Sequence, residues 1–367
     1  MVASDMTALG SRGAPNPENA TGSVASGAGA AAGALLSGGR GGVHPMLVFL
    51  ARRIATGIVT LLVASFVIFL ATNALPGNVA QVLAGRNATP AVISRLDVEL
   101  KLNEPVLSRY GSWLGGLIQG DFGKSAVAVV ESNADSSVAS QIGTPLQNSV
   151  ILAVITSVLL VPLALLIGTL SAVHAGRPGD YAASYLTLVL GALPEFVFGT
   201  LLIVVFFSLL HWLPPVSLIP PGTTPLTHVD ELVLPVLTLL GVSTAFCARQ
   251  VRAGVLTTLD QEYVTMARLS GLRETRVLMR YALRNAVAPS IQSFAQAFQY
   301  LFGGIIVVET LFAYPGIGQA LVQAVSVRDL TVVQAIAVIL AAIYIAINIA
   351  ADLLVVFAVP RLRTSMR

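Results

Sequence analysis

Charge is scarce in this sequence. Asp, Glu, Lys and Arg make up 11% of its 367 residues, against roughly 25% in a soluble globular domain. Cysteine is scarcer still. Cys247 stands alone, so no disulfide can close within the chain and no cysteine zinc cluster can form. His44, His174, His211 and His228 are scattered and lack metal-ligand spacing. No Ser-His-Asp set or paired carboxylates can be read from the sequence. GDFGKS (120–125) contains Gly-Lys-Ser, but a phosphate-binding loop needs a glycine five residues before its second, and Ile118 stands there. The chain is therefore expected to bind no cofactor and to hydrolyse no ATP itself.

What is abundant is apolar. Hydrophobic residues make up 55% of the chain, and mean hydropathy is +0.81. They are bunched into six runs near 54–75, 148–172, 182–210, 232–251, 287–313 and 331–357. Each reaches the roughly 20 residues that a membrane-spanning helix needs. Helix is the only workable state there, because an open strand would leave backbone groups unpaired in hydrocarbon. The fold class predicted is an all-α membrane protein with six spanning helices.

Four segments follow. Residues 1–45, rich in Gly, Ala and Ser, bury too little apolar surface to fold and are expected to be a disordered tail. Met46, directly before the first apolar run, is a candidate alternative start. Residues 46–75 are the first span, 76–147 an external amphipathic region, and 148–363 a five-helix core. Residues 211–231, with Pro214, Pro215, Pro220, Pro221 and Pro225, are an irregular external loop.

Net charge is +3, with 19 Arg and 2 Lys. The basic balance belongs beside membrane ends rather than on nucleic acid. Arg52 and Arg53 precede span 1, Arg177 follows span 2, and Arg361, Arg363 and Arg367 close the chain. Seven arginines lie between residues 249 and 284, and none lies between spans 3 and 4. The positive-inside rule then puts both termini in the cytoplasm.

The stretch 249–289 is too charged to span. Val264, Ala267 and Leu272 alternate with Glu262, Arg268 and Arg273, and Gly271 breaks the middle as between two short helices. From pattern alone it reads equally as a basic amphipathic loop on anionic lipid.

EYVTMARLSGL (262–272) and RYALRNA (280–286), followed by Pro289, resemble the cytoplasmic loop of ABC-importer permeases of the oligopeptide and dipeptide family. The family pattern is D-Y-V-x-x-A-R-x-x-G-L followed by R-x-A-L-R-N-A. The older Glu-Ala-Ala opening reads Thr265, Met266, Ala267 here, so only its last Ala and Gly271 match. NALPGNVA (73–80), GDFGKS (120–125), LPEFVFG (193–199), VVETLFAYPGIG (307–318) and NIAADLLV (348–355) resemble the same family. The likeness covers about residues 47–363.

The resemblance implies the type I importer permease fold, with an N-terminal helix that wraps a partner. The partners it implies are a second homologous permease, two ATP-binding subunits carrying ATP and Mg, and an extracellular solute-binding lipoprotein. The coupling loop at 253–286 would dock on the ATPase through Glu262, Tyr263, Ala267, Arg268, Gly271, Leu272 and Arg284. The solute would be a di- or oligopeptide, with nickel chelates, glutathione and peptide-like antibiotics as alternatives. A secondary transporter would work without an ATPase; the intramembrane charge pairs and inverted repeats expected of one are not seen.

Two features point to a path through the membrane. Glu195 falls within span 3, beside Pro194. A charge at mid-helix costs about 2.5–3.5 kcal/mol on insertion scales, so it either lines the path or binds a substrate amine, or it is a carboxylic acid kept neutral or hydrogen-bonded between helices. Gln292, Gln296 and Gln299 at i, i+4 and i+7 share one face of span 5. Glutamine is unfavourable against lipid, so the stripe faces a cavity or another helix. Glu309 and Asp352 match family positions near helix ends, where structural pairing is expected.

Overall fold

The computed structural model describes residues 45–73, 89, 90, 94, 104–130 and 137–358. The 1–44 tail, NALPGNVA beyond Asn73, most of Pro90–Leu102 and the C-terminal arginines lie outside them, as does the side chain of Pro289. The described residues are helical, joined by turns and a single isolated β-bridge between Lys124 and Ser137.

The first span is α1 (Pro45–Asn73). Two short helices follow, α2 (Val106–Ile118) and α3 (Ala126–Val130). The second span, α4 (Val138–Val173), begins ten residues before the apolar run that announces it. At 1.5 Å per residue its 36 residues extend about 54 Å, well past a hydrocarbon core of roughly 30 Å.

The third span is not one helix. It is α5 (Pro178–Ala192) and α6 (Glu195–Ile203), the latter continuing as a π-helical turn over Val204–Leu209. The two halves meet at 108°. Pro194 is the cause. It has no N–H to give to the preceding turn and pushes Leu193 out of the helical region; Leu193 sits at ψ 133° and Pro194 at ψ 142°. The single helix expected over 182–210 is corrected accordingly, and Glu195 opens α6 rather than sitting inside a continuous helix.

The fourth span, α7 (Val229–Leu259), is the central element. Of its apolar window 72% is buried, against 11% for α1. It packs against α4, where Gly168 lets the two backbones approach. A β-carbon there would sit 2.6 Å from the Ala248 carbonyl oxygen, the close contact that small residues permit between membrane helices. α8 (Glu262–Leu269) and α9 (Glu274–Arg276) follow; α9 runs through a π-helical stretch, Val277–Leu283, into the fifth span, α10 (Arg284–Leu311). α11 (Ile317–Ser326) and the sixth span, α12 (Leu330–Ala358), complete the order.

The main apolar cluster gathers Leu152 and Leu160 from α4, Leu239 and Val251 from α7, Leu301 from α10 and Phe312 just past its end. A second cluster joins Val138 and Ile142 of α4 to Ile317 of α11 and Ile336 of α12. α1 is fastened to α12 by polar contacts at both ends. Arg53 pairs with Asp352 at 2.5 Å, and Gln334 Nε2 donates to Thr72 Oγ1 at 2.5 Å. α2 holds the same end through Tyr110, which meets Ser65 at 2.9 Å, and Arg109, which donates to Asn73. Most large side chains of α1, such as Ile58, Val59, Val63 and Val67, stay exposed.

Candidate functional site

Beside the break in the third span lies an open recess that carries several polar side chains. Glu195, Gln296, Gln299, Tyr300, Gly303, Gly304 and Tyr344 line a cavity of about 420 Å³. Glu195 enters from the start of α6, the glutamines and glycines from α10, and Tyr344 from α12. Gln299 and Tyr300 lie about 15 Å along the apolar stretch Ser290–Leu311, near its middle.

Glu195 is 7% exposed, and its Oε1 has no hydrogen-bond partner among the described residues. It fits because residue 304 is glycine; any β-carbon there would overlap the carboxylate. Gln299 Nε2 donates to Asn348 Oδ1 at 2.5 Å, which fixes its orientation from α12. Three of the four path residues expected from sequence thus share one cavity. Gln292 does not line it: exposed, it sits a full turn of α10 from Gln296.

A second constellation surrounds α8. Gly271 adopts φ 73°, a left-handed conformation that glycine takes without strain. Its N–H bonds to Arg268 O at 3.0 Å and the Leu272 N–H to Ala267 O at 3.4 Å, the double closure of a glycine-capped helix end. Val264 and Ala267 point inward and pack with Val277, Leu272 and Tyr281. Asn285 Nδ2 donates to the Tyr263 hydroxyl at 3.0 Å. Arg268 pairs with Glu274 at 2.7 Å. That hydrogen bond holds the Glu274 carboxyl below its usual range and raises Arg268.

Of the predicted coupling residues, Ala267 is buried and Leu272 half-buried, so they hold the loop together. Glu262, Tyr263, Arg268, Gly271 and Arg284 are exposed. Met266 and Leu269, not among the residues expected to dock, are 66% and 77% exposed on the outward face of α8. Their signal was available: they lie out of phase with buried Val264 and Ala267.

Asp180 was not among the expected site residues either. Its carboxylate is bound by Arg252 through both nitrogens at 2.8 Å, by Ser171 at 2.5 Å and by the Gly176 N–H at 3.0 Å. This joins α4, α5 and α7 at the end of the bundle near α8. Glu309, fully buried, accepts from Ser149 and from the Gly318 N–H at 2.7 Å. It ties α10, α4 and α11, and Asp352 pairs with Arg53; both have the structural role expected. GDFGKS forms a turn in which Ser125 donates to Asp329, with Gly123 at φ 82°. Among the described residues no group of three or more His, Cys, Asp or Glu could hold a metal ion.

These features define a polytopic helical membrane protein with a polar cavity among its spans. Comparison with known proteins carries the assignment further. Residues 164–364 match the family described as the binding-protein-dependent transport system inner membrane component. Residues 46–137 match the corresponding N-terminal family. A protein of Brucella abortus (strain 2308), provisionally named a peptide transport system permease, is 32% identical over 318 residues, covering 87% of this chain and 99% of the relative. The glutathione transport system permease protein GsiC of Escherichia coli (strain K12) is 33% identical over 318 residues, with the same coverage. A crystal structure of an amino acid ABC transporter with histidines aligns at 18% identity and a TM-score of 0.45, over 60% of this chain and 92% of that one.

The chain belongs to the binding-protein-dependent transport system inner membrane component family, the permeases of ABC importers. It is a multi-pass inner-membrane transport subunit with the all-α fold of that family.

Proposed function

We propose that the chain forms the path for di- or oligopeptides in an ATP-driven importer. An extracellular binding protein delivers the solute, a second homologous permease completes the channel, and two ATP-binding subunits drive it. ATP and Mg are held by those subunits, and this chain binds no cofactor. Both termini and α8 face the cytoplasm, and the 76–147 region faces outward.

The observation that carries this reading is the exposed Met266–Leu269 face of α8, on a helix braced by the Val264–Ala267–Val277 cluster. An apolar face held rigidly at a charged loop suits docking to another subunit. Motion delivered there reaches the cavity along α7 and α10, between which α8 is inserted. Glu195, Gln296 and Gln299 line the path around which the spans reorient, with Gln292 further along it. The peptide-named relative favours peptides; the similarity to GsiC favours glutathione, itself a short peptide, as a second reading.

Purification of the chain from native membranes tests the assembly: an ATP-binding subunit and a second permease should come with it. In proteoliposomes that complex should take up peptide only with ATP and binding protein. Purification alone, with uptake driven by an ion gradient, would overturn the proposal.

A further inference from the structure

We infer that the cavity between α6, α10 and α12 is a subsite for the ammonium group of the passing solute, with Glu195 as the acceptor. The inference rests on the peptide-path reading above and specifies which part of the solute the path recognises.

Among the described residues, Glu195 is the only carboxylate that lines the cavity, and no Lys, Arg or His lines it. Its Oε1 is buried without a partner among the described residues. A buried carboxylate without a partner is costly, and the cost disappears when a cation or a donor reaches it. The rest of the lining suits an organic cation. Tyr300 and Tyr344 offer aromatic rings, which attract ammonium groups across their faces. Gln296 and Gln299 carry amides that can pair with a peptide bond. A divalent metal would need more ligands than one carboxylate, and no such group exists among the described residues. The cavity volume of about 420 Å³ falls in the usual range for a small ligand.

Gly304 makes room for the carboxylate. The carboxylate occupies the place where a side chain at 304 would begin, so the helix face of α10 is cut back to admit it. A glutamate retained only as a neutral spacer between helices would be expected to hydrogen-bond to one of them.

The test uses the assembled importer in nanodiscs, in a Cys247→Ala background carrying Gln296→Cys. Two methanethiosulfonate reagents are compared, one bearing an ammonium group and one a sulfonate, each normalised to its rate with a free thiol in solution. The ammonium reagent should react on the order of tenfold faster, the size of effect that a focused charge produces. Glu195→Gln should bring the ratio close to one. Tyr344→Cys serves as a second reporter should Gln296→Cys fail to assemble. Labelling with no charge preference, or with a preference unchanged by Glu195→Gln, overturns the ammonium subsite while leaving the path in place. Absence of labelling at both positions in every nucleotide state overturns the path as well.

Discussion

The carboxylate of Glu195 lies against the α-carbon of Gly304, so closely that a β-carbon at 304 would overlap both of its oxygens. A β-carbon at the neighbouring Gly303 would meet nothing within 4 Å outside its own helix backbone. Two adjacent glycines on one helix therefore carry opposite expectations. Gly304→Ala should destabilise the protein by about 1–3 kcal/mol, the usual cost of overpacking. Gly303→Ala should be neutral or stabilising by up to about 1 kcal/mol, since alanine favours helix. Thermal unfolding of the purified complex measures both, and Glu195→Ala should rescue Gly304→Ala. Equal effects at 303 and 304 would remove the proposed contact.

Asp180 and Arg252 close the end of the bundle near α8. Asp180 is 3% exposed and Arg252 30% at the side chain. Removing one partner of a buried pair leaves the other uncompensated. Arg252→Ala should therefore cost roughly 3 kcal/mol of stability. Arg252→Lys should recover only part of it, because an ammonium cannot reproduce the two-nitrogen grip. The double variant Asp180→Asn with Arg252→Ala should cost less than the sum of the single variants.

The outward face of α8 should tolerate little charge if it docks on a partner. Leu269→Asp should weaken ATPase association by about 2 kcal/mol or more, roughly thirtyfold. The amount of permease in the membrane should not fall, because Leu269 packs on nothing in its own chain's core. Val264→Asp, at a fully buried position, should instead lower the amount of folded protein. Co-purification yield against membrane abundance separates the two.

The Arg268–Glu274 pair sets a pH expectation. The hydrogen bond from Arg268 depresses the Glu274 carboxyl in the folded loop. Its stabilisation is therefore present above the unfolded value, about 4.3, and is lost as pH falls through the lower folded value. Side-chain exposures of 41% and 60% mean that water screens the pair, limiting it to about 0.5 kcal/mol. Hydrogen exchange of α8 amides should show Glu274→Gln less protected than wild type at pH 7. The two should converge in more acid solution. A gap that widens toward acid contradicts the assignment.

The spans were legible because hydrocarbon forces long apolar runs to be helical. The break at Pro194 was missed: a proline cannot donate to the preceding turn, but a run that is apolar throughout hides a bend when hydropathy alone is read. The Gln296–Gln299 face followed from helical spacing. That Tyr344 of α12 would join it did not, because spacing within one helix says nothing of which helix lies opposite. Asp180 was hidden for a similar reason: its partner Arg252 lies 72 residues away. On α8, the conspicuous charges drew attention from Met266 and Leu269. Exposure of these apolar side chains is a property of the folded loop, in which Val264 and Ala267 are used up inside.

ATP-dependent peptide uptake in proteoliposomes, with and without Leu269→Asp, tests the importer account most directly. Uptake should require ATP, binding protein and ATPase together, and should be lost in the variant while its membrane abundance holds. Uptake that proceeds without the ATPase, or that Leu269→Asp leaves intact, would contradict it.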